Sequence, residues 1–233
     1  MLATFTPNTH LRLVRGEAME TGFPQFPTDA TQRALLSGVL QALMASLDAK
    51  DSYTKGHSER VSYIAQEIAH EMGLSEDEIE LTRLAGLVHD LGKIGVPENV
   101  LRKPGRLTEE EFSLVKMHPE IGRKIVQEIP MIFRLVPAVL HHHERWDGRG
   151  YPAGLESESI PLYARILAVA DSFDAMSSTR TYKASLSREE VLAEMERCNG
   201  TQFDPEVVEA LLRADLSKYE QMLDSHRAEK DAA

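Results

Sequence analysis

The chain has a single cysteine, Cys198, which excludes an intrachain disulfide and any cysteine-based zinc cluster. That scarcity fits a reducing compartment. Nowhere does it carry the run of about 18 apolar residues that a membrane-crossing helix needs. Residues 1–15 also lack a compact apolar stretch followed by a small-residue cleavage site. The default expectation is a soluble, cytoplasmic protein without a membrane partner. Basic residues are in deficit, with 26 Lys and Arg against 37 Asp and Glu, a net charge of −11 over 233 residues. This argues against a protein that coats DNA or RNA, because such affinity rests mainly on neutralising phosphates. A small nucleotide stays open, since a metal ion or a few local basic groups can supply positive potential inside an acidic protein. Clean two-residue alternation is missing as well, so no strand is expected.

Helical periodicity is what the chain does have. With 42% hydrophobic residues it can bury a core of one generous domain or two tight ones. Residues 1–30 hold three prolines and little pattern, and read as an irregular leader. Beyond them Leu35, Leu36, Val39, Leu43 and Leu47 fall at helical spacing. Val61, Ile64, Ala65 and Ile68 mark a second helix over 56–72, with Gly73 as its stop. The pairs Ser75/Glu78, Thr108/Glu111 and Ser187/Glu190 have capping-box spacing. Further helices are expected over 120–128, 132–142 and 161–177, and from Asp204-Pro205 onward. Segments 92–106 and 147–160 have no periodicity, and unpatterned loops of about 12–15 residues are unusual unless functional. Both follow histidine clusters. The expectation is a single all-α bundle over 31–222 with two long functional loops and a polar tail at 223–233.

The histidines are unevenly placed. His89–Asp90 ends the apolar stretch LTRLAGLVHD, where an unpaired carboxylate is costly and a bound cation is a natural partner. A bridge from Asp90 to Lys93, with His89 as a core imidazole, would also serve. His57 follows Gly56, His118 precedes Pro119, HHHE fills 141–144, and Asp171 interrupts the apolar RILAVA run. His57, His89, Asp90, His118, His142, His143 and Asp171 are too many for one ordinary metal ion. They suit two ions sharing a carboxylate, a geometry that can deliver hydroxide to phosphorus. The sequence does not say which of them converge. His141 points about 100° away from His142 on a helix and is left outside the set. His10, His70 and His226 are expected to be solvated.

Several motifs occur in a specific order. They are DSYTKGHSERV (51–61), HDLGKIGVP (89–97), His118-Pro119, HHERWDGRGYP (142–152), ARILAVADSFDAMSSTR (164–180) and GTQFDPEVV (200–208). This set resembles the HD-GYP family, a subset of the HD phosphohydrolases that hydrolyses cyclic di-GMP. The resemblance runs over about residues 35–212. An isolated HD dipeptide says little, whereas the ordered set with Gly150-Tyr151-Pro152 is specific. It implies an all-helical HD-type domain in which His57, His89, Asp90 and Asp171 hold one metal. Asp90 would bridge to a second ion held by His118, His142 and His143. Two divalent ions are implied, iron or manganese first, with zinc, nickel, cobalt or magnesium as other options. Some family members hold a third ion with a Glu four residues before the first histidine; Tyr53 stands there instead, so two are expected.

The resemblance also assigns contacts. Lys93 would stabilise charge on a phosphate oxygen, although a lysine in a turn can equally be solvated. Arg180 would offer its fork to phosphate or guanine, against the plain reading of a helix-end arginine on the dipole. Tyr151 would touch substrate or, alternatively, lock its own loop. Glu144 and Asp147 would support a ligand histidine or the loop amides. The implied activity is hydrolysis of cyclic di-GMP to linear 5′-pGpG, with onward cleavage to GMP as an option. The alternatives are another cyclic dinucleotide or nucleotide as substrate, or a cyclic di-GMP-binding adaptor with little turnover. A sensor or a diguanylate cyclase is the candidate protein partner.

Overall fold

A computed structural model describes residues 29–50, 56–178 and 186–231. Tyr53 and Arg180 fall outside these residues, as does the leader up to residue 28. The described residues form α1 (Ala30–Lys50), α2 (His57–Glu71), α3 (Glu76–Val88), α4 (Glu98–Leu101), α5 (Glu109–Val115) and α6 (His118–Val126), followed by α7 (Val136–His141), α8 (Leu162–Ser177), α9 (Arg188–Arg197), α10 (Pro205–Arg213) and α11 (Ser217–Asp231). An isolated bridge between Asn199 and Phe203 is the one β-type pairing among them. The architecture is all-α, as the periodicity and the resemblance predict.

The centre of the bundle is α2 against α3 and α8. Val61, Ile64, Ala65 and Ile68 of α2 are fully buried, as are Leu81, Ala85 and Val88 of α3 and Ile166, Leu167, Val169 and Ala170 of α8. Each large aliphatic among them contributes about 1.5–3 kcal/mol by leaving water. Gly86 sets how close α2 and α3 come. A Cβ at that position would lie 2.7 Å from Cα of Ser62, so any other residue would push the two helices apart.

Helix starts follow local chemistry. Glu78 accepts from the Ser75 amide at 3.0 Å and hydroxyl at 2.7 Å. Thr108 with Glu111 and Ser187 with Glu190 close reciprocal boxes in the same way. Asp204 caps α10 by accepting from the Glu206 amide, with Pro205 in the first turn.

Three segments differ from the periodicity. The helix expected over 132–142 is split into a 3-10 stretch, Pro130–Leu135, and α7. Ile132 leaves helical geometry at φ −121° and ψ 15°, and Pro137 can sit only in the first turn of a helix. Segment 92–106 is not plain loop: it contains most of the 3-10 turn Leu91–Gly95 and all of α4. Finally, residues 223–231 of the segment expected as a polar tail lie in α11. Helix α11 is anchored by the buried Tyr219 and, just before it, Leu216.

Candidate metal centre

Helix ends carry most of the ligand candidates. His57 is the first residue of α2, entered through Gly56 in the left-handed region at φ 71°. His89 caps the C-terminus of α3 and Asp90 opens the following 3-10 turn. His118 is the first residue of α6, His142 caps α7 with His143 beyond it, and Asp171 lies within α8. Gly92 permits the turn carrying Asp90 and Lys93 to dock on α6. A Cβ there would fall 1.9 Å from the His118 carbonyl oxygen and 2.5 Å from the Gly122 amide nitrogen.

All seven groups converge. Oδ2 of Asp90 lies 3.4 Å from His89 Nε2 and 3.8 Å from His57 Nε2, while Oδ1 lies 3.4 Å from His118 Nε2. His57 Nε2 is 3.2 Å from Asp171 Oδ1, and the Nε2 atoms of His118 and His142 are 3.1 Å apart. Three overlapping triads each bring one donor atom per residue within 4.8 Å of the others. They are His57/His89/Asp171, His118/His142/His143 and His89/Asp90/His142. His57, His89, Asp90, His118 and His142 are buried.

Tautomers follow from the backbone. Nδ1 of His89, His118 and His142 lies 2.7, 2.8 and 2.7 Å from the carbonyls of Gly86, Val115 and Val139. A carbonyl can only accept, so each Nδ1 carries the proton and each neutral ring presents an Nε2 lone pair to the interior. His89 Nε2 is buried with no hydrogen-bond partner, and the lone pairs of His118 and His142 face each other. Unpaired buried acceptors of this kind are costly, and a cation among them would satisfy all three. Burial lowers the pKa of His118, drives that of His142 well down and brings His143 to about 4. Burial opposes charge on Asp90, yet the Lys93 ammonium beside it prevails and holds the carboxyl ionised. Asp171 is likewise held ionised against burial by His57. At His57 burial opposes protonation, but Asp171 and Asp174 prevail and raise its pKa to about 9. Neutral imidazoles at His118, His142 and His143, ionised carboxylates and no thiolate are a donor set that fits a binuclear divalent-metal site, to which His57 would add its Nε2 on losing a proton to the incoming cation.

Lys93 and Tyr151 stand at the rim. Lys93 Nζ is 2.6 Å from Oδ2 of Asp90, with its side chain 19% exposed. The Tyr151 ring packs 4.8 Å from that of His143, tilted by 30°. Burial, with the charges of Asp90 and Asp171, pushes the phenol pKa far up, so it keeps its proton as a donor. Glu144 supports the loop and not a ligand triad. It accepts from the amides of Ala153 at 2.7 Å and Leu155 at 3.2 Å, and lies 3.4 Å from His141 Nδ1. Asp147 pairs with Arg145 and accepts from the Arg149 amide. The GTQF segment also braces this loop, because Gln202 and Thr201 carbonyls accept from the Trp146 and Asp147 amides. Asp174 and Arg60 escape the sequence reading altogether. Their one signal is helical spacing, three residues beyond Asp171 and His57 respectively.

This fold and this ligand set define an HD-type phosphohydrolase domain. The HD-domain family profile matches residues 41–207, and the chain belongs to that family. Within it the chain is closely related to the HD-GYP cyclic-dinucleotide phosphodiesterases. It is 44% identical over 195 residues to a cyclic di-GMP phosphodiesterase of Thermotoga maritima, covering 83% of this chain and 52% of that protein. Over 181 residues it is 39% identical to 3'3'-cGAMP-specific phosphodiesterase 3 of Vibrio cholerae, covering 78% and 39%. A solved cyclic GMP-AMP-specific phosphodiesterase from V. cholerae shares the fold, with a TM-score of 0.61 at 21% identity over 81% of this chain and 50% of that one. The chain spans about half, or less, of the length of the curated relatives it matches. No helix of the described residues is long and apolar enough to cross a membrane.

Proposed function

We propose that this domain is a binuclear-metal phosphodiesterase for a cyclic dinucleotide, with cyclic di-GMP and 3'3'-cGAMP as the candidate substrates. The observation that carries this reading is Asp90, whose two oxygens face two different histidine groups. One ion would take His57, His89, Asp90 and Asp171, and the other Asp90, His118, His142 and His143. Iron or manganese is the proposed metal. Bound there, two divalent ions supply an activated water and Lewis acidity toward a phosphodiester.

The chain's own residues divide the remaining tasks. Asp90 would be shared by both ions and Asp171 held by one, and the carbonyl-tethered imidazoles keep their Nε2 lone pairs inward. Lys93, at the rim, can turn from Asp90 to a non-bridging phosphate oxygen and offset charge that grows as phosphorus becomes five-coordinate. Tyr151 keeps its proton and offers a hydrogen bond or its ring face to the nucleotide. Arg180 keeps the phosphate or base contact that the resemblance assigns to it.

The substrate is the open term, because relatives named for cyclic di-GMP and for 3'3'-cGAMP match at comparable identity. The test is turnover of cyclic di-GMP, 3'3'-cGAMP and cyclic di-AMP with Mn(II) or anaerobic Fe(II), with products resolved chromatographically. A linear dinucleotide such as 5′-pGpG is expected first, and Asp90→Ala should abolish its formation. Wild-type turnover in Asp90→Ala would overturn the site. Tight binding of cyclic di-GMP with two ions present and no product would favour the adaptor reading.

A further inference from the structure

We propose that Asp174, Arg60 and His226 are positioning residues that hold the His57 imidazole from behind. Through them the C-terminal helix α11 sets how tightly the His57 half of the centre retains its cation. This rests on the reading that His57 is a ligand.

The two halves of the centre are supported differently. On the His118 and His142 side, each Nδ1 is tethered to a carbonyl three residues earlier in its own chain segment. His57 instead places Nδ1 2.7 Å from Oδ2 of Asp174, a fully buried carboxylate one helical turn beyond Asp171 on α8. A carboxylate behind a ligand imidazole fixes the ring and makes its other nitrogen a stronger donor. Asp174 is in turn clamped by Arg60, whose Nε reaches Oδ1 at 2.6 Å and whose Nη2 reaches Oδ2 at 3.0 Å. Such a bidentate pair fixes orientation as well as charge. Arg60 is itself buried, three residues beyond His57 on α2.

The last link comes from far along the chain. Nη1 of Arg60 lies 3.0 Å from Nδ1 of His226 on α11. A guanidinium only donates, so Nδ1 of His226 accepts, and the neutral ring carries its proton on Nε2. The same ring lies against Gly56, where a Cβ would fall 2.1 Å from His226 Cε1. Thus α11 touches both the backbone preceding His57 and the guanidinium that steers its carboxylate. Tyr219, about two helical turns upstream on α11, is buried against Phe173, the neighbour of Asp174, at 5.6 Å between rings. The relay therefore joins α11, α2 and α8 behind one cation position and leaves the other to local carbonyls.

The consequence is an asymmetric metal phenotype. Mn(II) binding to the full chain, measured by calorimetry with metal analysis, should give two ions in the wild type. Asp174→Asn should weaken one of them by about 10- to 100-fold and leave the second unchanged. His226→Ala should weaken the same ion by a smaller factor, and His226→Asn should restore it, because its amide oxygen can accept from Arg60 at the place of Nδ1. Circular dichroism and the denaturation midpoint of each variant separate this loss from unfolding. Two ions at wild-type affinity in His226→Ala and Asp174→Asn would overturn the proposal. Equal weakening of both ions would overturn it too, since a general loosening of the bundle would then explain the effect. Fewer than two ions in the wild type would instead defeat the binuclear reading on which it rests.

Discussion

Asp90 is where burial and charge conflict most, and the centre is built around resolving that conflict. A carboxylate this buried stays ionised only with positive partners on every side. Lys93 provides one of them from the rim. Its place there separates two roles by experiment. Lys93→Ala should lower kcat by about 100-fold or more if it offsets transition-state charge, with two Mn(II) ions still bound per chain. Steady-state kinetics paired with metal analysis checks this, and loss of an ion would show that Lys93 acts through Asp90 instead. Tyr151→Phe should keep both ions and reduce kcat/KM through the lost phenol donor, by about 2- to 12-fold for one hydrogen bond of about 0.5–1.5 kcal/mol. The seven ligand candidates were legible in the sequence because His89, Asp90 and Asp171 interrupt or end apolar helical runs and the histidines fall in the ordered motifs, whereas their convergence needed the fold. Arg60 and Asp174 were not, since an arginine and an aspartate on separate helices look like ordinary surface charge until the fold buries them together. His226 was read as solvated for the same reason: its partner lies 166 positions away.

Helix termini are what turn these residues into a site. His57, His89, His118 and His142 each stand at a helix end, where the chain changes direction and side chains from different helices can meet. Whatever fixes those ends fixes the centre. The opposite end of α3, which sets where the helix that carries His89 begins, is held by the Ser75/Glu78 pair, and its hydrogen bonds lower the Glu78 pKa. A carboxyl whose folded pKa lies below its unfolded value of about 4.3 contributes stability above that pH and loses it as pH falls through the folded value. Ser75→Ala should therefore cost about 1 kcal/mol at pH 7, with the difference from wild type shrinking below about pH 4. Urea denaturation across that range tests it, and a pH-independent difference would assign the effect to the hydroxyl alone. Capping boxes, proline positions and glycine stops made most element starts readable in advance. The break at Ile132 was hidden because its apolar spacing continues smoothly into α7, and only the Pro137 ring forbids one continuous helix. Helix α11 was obscured by its polar composition; the anchors Leu216 and Tyr219 lie at its start.

Across the whole molecule the ligand candidates span positions 57 to 171 and five helices, so they converge only when the bundle is assembled. This changes the meaning of the −11 net charge. The acid surplus belongs to the surface as a whole, whereas two divalent ions with Lys93 would outweigh Asp90 and Asp171 locally and leave a positive mouth for a phosphodiester. It also ties stability to metal. An ion that binds the folded chain and not the unfolded one stabilises it by RT ln(1 + [L]/Kd), about 2.7 kcal/mol at one hundred times Kd. For a chain of this size each kcal/mol moves Tm by about 2–4 °C, so each ion should raise it by about 5–10 °C. Thermal scans after chelation and after restoring Mn(II) should recover that rise in the wild type. In Asp90→Ala most of it should vanish, because the carboxylate shared by both positions is gone. An unchanged Tm in the wild type would mean that the seven groups are satisfied by one another, and that the close approach of His118 to His142 is a packing contact and not a ligand geometry.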